Sequence, residues 1–306
     1  MTVQSSPRRI LLTGASGLVG SALQPVLESR GHTVVKLVRG TGTPTTGSAN
    51  WNPKSGEIDL SQVGQLDAVV HLAGENIAQR WSPAVKQRIR DSRVKGTRQL
   101  ADAISKLDSL PKVLICASAT GFYGDRGDEW LDESSSPGTG FLADTCQEWE
   151  AAANPARASG IRVVHLRFGI VLSPRGGALA KMLPSFRLGI AGPLGNGRSY
   201  WSWITLDDLV EVIHHALDTE TLAGPVATVS PSPVTNAEFT KTLGRVLHRP
   251  TFLPVPAFAL QMLFGDMARE AMLASARVKP ARLLETGFRF QHGALEPALE
   301  HLLGRK

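Results

Sequence analysis

Short, largely apolar runs recur along the first half of the chain. Ile10-Leu11-Leu12 is the first, and residues 33–38, 67–72, 112–118 and 162–167 repeat the pattern. Runs of this length without polar alternation fit strands covered on both faces. Between them lie segments with apolar residues at helical spacing, at 22–30, about 82–105 and 142–159. Strand and helix in turn predict an α/β fold built on a doubly wound parallel sheet. Residues 40–56, rich in Gly, Thr, Ser and Pro, predict a loop or a small hairpin.

After about residue 172 the pattern loosens. Gly and Pro cluster at 174–177 and 189–197. Helices are predicted at 206–217, 236–247, 257–274 and 295–303, and a short strand at 225–229. This places a sheet domain at 1–175, to which the chain returns near 199–229. A smaller α-rich lobe, mainly 176–306, would cover the strand ends, where ligands bind in open α/β sheets.

Composition narrows the function classes. The 306 residues, 42% of them hydrophobic, suffice for a full soluble core. No stretch approaches 18 consecutive apolar residues, so no membrane span is expected. The polar start, residues 1–9, lacks the apolar core of a secretory signal. Cys116 and Cys146 are too few for a disulfide framework, and a cytoplasmic protein with free thiols is expected. The net charge of +6 is spread along the chain. Its densest stretch, residues 80–98, reads as a solvated basic helix face. No zinc-finger spacing or RRM-type aromatic motif accompanies it, which argues against a nucleic-acid partner.

The chemistry begins at Thr13-Gly14-Ala15-Ser16-Gly17-Leu18-Val19-Gly20, between the first strand and the first helix. There, backbone N–H groups and the helix dipole favour a pyrophosphate. Glycines allow the tight turn, the close approach and the helix–strand packing. Arg39 lies nineteen residues after Gly20, at the end of the second predicted strand, where NAD proteins place a carboxylate on the ribose 2′-OH. A guanidinium there suits a 2′-phosphate, which points to NADP(H) as the cofactor. The alternative is an exposed loop arginine.

The glycine spacing of three and three resembles that of the extended short-chain dehydrogenase/reductase superfamily, with its Rossmann fold. Further segments support the resemblance: residues 67–74 with Leu72, Ala73 and Gly74, residues 118–124 with Ser118 and Tyr123, and residues 167–171 with Phe168, Gly169 and Ile170. Within the superfamily the chain is similar to the epimerase family of sugar-epimerase-like proteins. That similarity extends through His71-Leu72-Ala73-Gly74-Glu75, Arg80-Trp81, Ser92-Arg93, Trp203-Ile204 and the C-terminal Gly287-Phe288-Arg289-Phe290. The resemblance implies that Leu72 to Gly74 flank the adenosine and ribose, and that Phe168 to Ile170 meet the nicotinamide. It also implies that Ser118 faces a substrate oxygen. Arg93 takes the place of an Asn near the cofactor ribose, either as a contact or as part of the basic face. Many relatives associate through helices flanking the sheet, so a homodimer is compatible with it.

One departure stands out. Superfamily enzymes use Tyr-x-x-x-Lys, in which the lysine tunes a tyrosine whose free pKa near 10 makes it a poor base. Neither Tyr123 nor Tyr200 has a lysine four residues on. Aligning Glu150 with the family's helix puts Leu142 and Cys146 at those two places. Ser118 and Tyr123 are the remaining candidates for acid–base work. The alternatives are a satisfied hydroxyl at a strand end and a packed aromatic. Glu75, Arg80 and Trp81 from one side and Arg198 and Trp203 from the other are expected to form the substrate mouth, or else to be ordinary lobe packing. No metal site is expected, because the histidines do not pair with cysteine or carboxylate at ligand spacing. Two functions follow: an NADP(H)-dependent oxidoreductase or epimerase acting on a small carbonyl or sugar-like molecule, or a non-catalytic NADPH sensor.

Overall fold

The computed structural model describes residues 6–40 and 47–305. The first five residues of the polar start and residues 41–46 of the predicted loop lie outside the described residues. The first half contains strand β1 (Arg9–Thr13), helix α1 (Leu18–Ser29), β2 (Thr33–Arg39), β3 (Ser48–Asn52), β4 (Glu57–Asp59), β5 (Ala68–His71), α2 (Pro83–Ile104) and β6 (Val113–Ala119). It continues with β7 (Trp130–Leu131), α3 (Phe141–Ala151), α4 (Asn154–Ala158) and β8 (Arg162–Phe168). The second half adds β9 (Ile170–Leu172), α5 (Gly177–Arg187), β10 (Tyr200–Trp201), β11 (Trp203–Thr205), α6 (Leu206–Asp218), β12 (Gly224–Thr228) and β13 (Val234–Thr235). It ends with α7 (Asn236–Leu247), α8 (Ala257–Phe264), β14 (Arg277–Val278), α9 (Ala281–Glu285) and α10 (Leu295–Leu303).

One eight-stranded sheet runs β12-β8-β6-β5-β1-β2-β3-β4. It is parallel throughout except for β4, which turns back on β3 as a hairpin. The apolar runs are the central strands, and they are covered on both faces. Leu11, Val69 and Leu114 pack on the layer with Leu100, Ala101 and Ile104 of α2. Ile10, Leu12, Val70 and Ile115 pack on the opposite layer with Leu23 and Leu27 of α1 and Val212 and Ile213 of α6. Strand order reverses at β1, which has β2 on one side and β5 on the other. That is the switch point at which a Rossmann-type sheet opens a crevice.

Local chemistry sets the boundaries. Ser82 caps α2, its hydroxyl accepting from Val85 N, with Pro83 in the first turn, where a missing N–H costs nothing. The predicted helix over 142–159 is instead two, α3 and α4. Pro155 lacks an N–H and cannot extend a preceding helix, so the chain restarts there. The predicted helix over 257–274 ends at Phe264. Gly265, at φ +61, turns the chain before a separate π-turn at Ala268–Met272. Helix α5, hidden between two Gly/Pro clusters, was not predicted. It packs with α7 and α10 around Trp203, Phe239 and Leu243 in a third buried cluster.

Candidate functional site

The loop after β1 has room for backbone alone. Gly14 sits at φ +69, and a Cβ on it would lie 2.7 Å from the carbonyl carbon of Leu72. Its carbonyl accepts from Gly17 N at 3.0 Å. A Cβ on Gly20 would fall 2.2 Å from that same oxygen, so α1 can approach the loop only with glycine at this position. Helix α1 has no side-chain cap and no acidic residue in its first turn. Ser16 and Gly17 are exposed, so its first N–H groups open on the crevice. Leu18 turns toward Gly176 and Gly177, and Val19 packs on the core.

The strand ends are tied by a buried relay. Thr13 Oγ1 accepts from Leu72 N and Ala73 N, both at 3.1 Å. Its own proton therefore goes to His71 Nδ1, 2.7 Å away. His71 Nε2–H then donates to Thr97 Oγ1 at 3.0 Å, which also accepts from Trp149 Nε1. This assigns the His71 tautomer from its partners. The relay joins β1, β5, α2 and α3 behind the crevice. Burial lowers the pKa of His71 to about 4, and it does the same to His165, whose Nε2 is buried without a partner.

An acid-labile stability follows. A histidine with a folded pKa below its unfolded value near 6.5 contributes its full stability above 6.5. That stability is lost as pH falls toward 4, each group being worth on the order of 3 kcal/mol. Urea unfolding of the wild type should show falling stability between pH 6.5 and 4. His165→Gln should flatten that slope, and a pH-independent wild type would contradict the argument.

The crevice has two sides. On the β2 side, Arg39 ends the strand and is exposed. On the β5 side, Gly74 is exposed and Arg93 of α2 lies against it, its guanidinium carbon 3.5 Å from where a Gly74 Cβ would be. Arg93 Nη1 donates to the Glu75 and Ile89 carbonyls, each at 3.1 Å, and the guanidinium lies 5.0 Å from the Trp149 ring centre. Phe168, Gly169 and Ile170 follow the end of β8, where Phe168 pairs in register with Ala119. A Cβ on Gly169 would lie 2.5 Å from the Ser202 carbonyl, so that glycine is required by the chain crossing behind it.

Ser118 and Tyr123 meet in a constellation the sequence did not announce. Ser118 Oγ donates to Glu150 Oε1 at 2.7 Å. Glu150 takes Arg167 in a two-pronged ion pair, Nε to Oε1 at 2.8 Å and Nη2 to Oε2 at 2.9 Å. Arg167 Nη1 donates to the Tyr123 hydroxyl at 3.1 Å, and its guanidinium lies 3.4 Å from the Phe122 ring centre. Tyr123 is fully buried, and burial pushes its pKa up to about 12, away from what a base needs.

Beside this network, Leu142 and Cys146 of α3 both face Gly121, at 3.3 and 3.9 Å from a Cβ built there. Burial raises the Cys146 thiol to about 12, which keeps it protonated and unreactive. Leu142 also borders a cleft of about 280 Å³, shared with Gly121, Thr139, Gly140, Arg269 and Glu270. Glu270 Oε2 accepts from Leu142 N at 2.9 Å and so caps α3 from the C-terminal segment. Nothing in the spacing of Glu270 along the chain signals this.

The residues expected at a substrate mouth differ in exposure and in their partners. Arg80 and Arg198 are exposed. Glu75 is half-buried and lies 3.7 Å from Arg88. Trp81 is buried edge-on to Phe141, its indole donating to the Ile77 carbonyl at 2.8 Å. Trp203 is 0% exposed in the third cluster, donating to the Ser232 carbonyl at 2.9 Å. Folding also gathers Asp207, His292 and His301, which are distant in sequence. One ligand atom of each lies within 4.8 Å of the others, His301 Nε2 sits 3.0 Å from Asp207 Oδ2, and the two rings stack with centres 4.3 Å apart. No helix among the described residues is long and apolar enough to cross a membrane.

The sequence profile of the NAD dependent epimerase/dehydratase family matches residues 10–227. The chain belongs to that family. A second profile, a domain of unknown function, matches residues 255–302 of this family member. Epimerase family protein MT2273 of Mycobacterium tuberculosis is 46% identical over 297 residues, 97% of this chain and 98% of that one. Human epimerase family protein SDR39U1 is 36% identical over 299 residues, 96% of this chain and 99% of that one. A crystal structure of the human protein (isoform 2) with NADPH superposes with a TM-score of 0.89, at 34% identity, covering 97% of this chain and all of that one. A nucleoside-diphosphate sugar epimerase from Corynebacterium glutamicum gives 0.81 at 36% identity, over 98% of this chain and 59% of that one.

Proposed function

We propose that this epimerase-family protein binds NADP(H) and acts as an oxidoreductase on a small carbonyl or sugar-like molecule held in the cleft beside Leu142 and Glu270. The observation that carries the reading is the cradle: a loop and helix start where any Cβ at Gly14 or Gly20 would strike backbone, with open N–H groups at its mouth. Arg39 on the β2 side supports NADP(H) over NAD(H), as does the NADPH bound by the human relative. In this assignment Ser16, Gly17, Leu18 and Val19 hold the pyrophosphate through their backbone. Leu72, Ala73, Gly74 and Phe168 to Ile170 line the walls. The bound cofactor would supply a hydride at its nicotinamide ring.

The proton is a separate matter. Ser118 already donates to Glu150, and the Tyr123 hydroxyl is sealed. Water entering the cleft is then the proton source. Ser118 Oγ can accept from a substrate hydroxyl as it stands, but can donate to a substrate carbonyl only by turning from Glu150. That engaged pair favours a second reading, a protein that keeps NADPH without turning it over.

Titration of the wild type and Arg39→Ala with both cofactors tests the first reading. The loss of two charge-assisted hydrogen bonds should weaken NADPH 10- to 100-fold and leave NADH nearly unchanged. Equal wild-type affinity for the two cofactors would refute the selectivity. Steady NADPH oxidation with members of a carbonyl panel, lost in Ser118→Ala, supports the enzyme. Tight NADPH binding with no oxidation across the panel supports the sensor.

A further inference from the structure

Folding assembles a trio of side chains that spacing along the chain conceals. Asp207 lies in the first turn of α6, His301 in the last turn of α10, and His292 on the segment that enters α10. Asp207 and His301 are 94 residues apart, yet His301 Nε2 stands 3.0 Å from Asp207 Oδ2. One ligand atom from each of the three lies within 4.8 Å of the other two. Helix dipoles account for the Asp207–His301 pair, a carboxylate at one N-terminus and an imidazole at one C-terminus. They do not account for His292. Its ring stacks on that of His301, and neither of its ring nitrogens meets a hydrogen-bond partner among the described residues. Two imidazolium rings so close repel each other, which favours neutral imidazole, the form that ligates a metal.

The backbone beneath the trio is fixed. Asp208 is fully buried and accepts from Gln291 N at 2.8 Å and from His292 N at 3.0 Å. Thr205, the cap of α6, donates to the same carboxylate at 3.2 Å. Ser230 Oγ holds the Gly293 carbonyl at 2.9 Å. Asp208 thus sets the spacing between Asp207, its neighbour in the chain, and His292. Ligand atoms on one tetrahedral zinc ion, each at about 2.1 Å, stand about 3.3 Å apart. The His301 side chain is 54% exposed and can turn to close that distance, its Nε2 hydrogen shifting to Nδ1 as the ring ligates. We propose that Asp207, His292 and His301 hold a zinc ion, with water in the fourth position. Two imidazoles and one carboxylate suit zinc, whereas magnesium and calcium take oxygen donors. None of the three residues lines the cleft beside Leu142, and they join α6, within residues 10–227, to the segment 255–302. The ion therefore acts as a clasp between these two parts of the chain, and the proposal stands apart from the cofactor reading.

The test titrates zinc chloride into the untagged full chain after treatment with EDTA, by calorimetry, with folding checked by circular dichroism. The wild type should take up one ion per chain with a micromolar Kd. His292→Ala and His301→Ala should each weaken uptake at least tenfold, and Asp207→Asn, which keeps the side-chain shape, should weaken it as much. His248→Asn, at the other exposed histidine, should change it less than twofold. Because the ion fastens two segments, saturating zinc should raise the urea midpoint of the wild type and leave that of the double variant His292→Ala with His301→Ala in place. Equal uptake by wild type and double variant, uptake only at millimolar zinc, or an unmoved wild-type midpoint would overturn the proposal and mark the trio as an ion pair with a stacked neighbour.

Discussion

Arg167→Met should cost about 3–5 kcal/mol of stability, the largest loss expected of any single substitution. The guanidinium side chain is 4% exposed and the Glu150 carboxylate 14%, so water compensates little when one partner goes. Methionine would fill part of the volume against Phe122. It would leave Glu150 charged and enclosed with only the Ser118 hydroxyl, and the Tyr123 hydroxyl without its donor. That asymmetry makes the double variant informative. Arg167→Met with Glu150→Leu removes both charges and should return most of the loss, because an apolar pair avoids the uncompensated ion. Urea unfolding at pH 7 measures both. If the single variant loses under 1 kcal/mol, or the double is no better than the single, the Glu150–Arg167 ion pair does not carry this stability. The same reasoning explains why Tyr123 is a poor acid–base candidate: its hydroxyl completes the enclosure of an ion pair.

The sheet was readable because buried parallel strands must be apolar without alternation, and residues 10–12, 67–72 and 112–118 say so directly. The glycine cradle was readable because Gly14 and Gly20 answer a steric demand that no other residue meets. The surroundings of Ser118 were not. Glu150 and Arg167 are seventeen residues apart on a helix and a strand, and only the stacking of α3 against β6 and β8 makes them one group. Trp81 and Trp203 read as mouth residues because one follows the cofactor strand and the other comes from the opposite lobe. Their indole N–H groups instead found backbone carbonyls, which is what allows a tryptophan to be buried. The break between α3 and α4 was available in Pro155. Glu270 capping α3 across 128 residues of chain was not.

The three loop glycines should separate stability from binding. Gly20→Ala puts a Cβ 2.2 Å from the Gly14 oxygen, and Gly14→Ala puts one 2.7 Å from Leu72 backbone while forcing an L residue to φ +69. Neither obstacle is a flexible side chain, so strand and helix must part. Each variant should lose about 1–3 kcal/mol of stability and at least 100-fold in NADPH affinity. Gly17→Ala differs. Its Cβ would meet only the Gly14 oxygen at 3.2 Å, the backbone there is extended at φ −77, and the residue is exposed. The folded protein should accept it within about 1 kcal/mol. The new methyl would nevertheless stand on the open side, where a pyrophosphate must come within hydrogen-bond range of the α1 N–H groups. Affinity for NADPH should therefore fall tenfold or more while the urea midpoint barely moves. A Gly17→Ala protein that binds NADPH like wild type would mean that the phosphates do not rest on this loop, and the cofactor would have to lie elsewhere on the sheet.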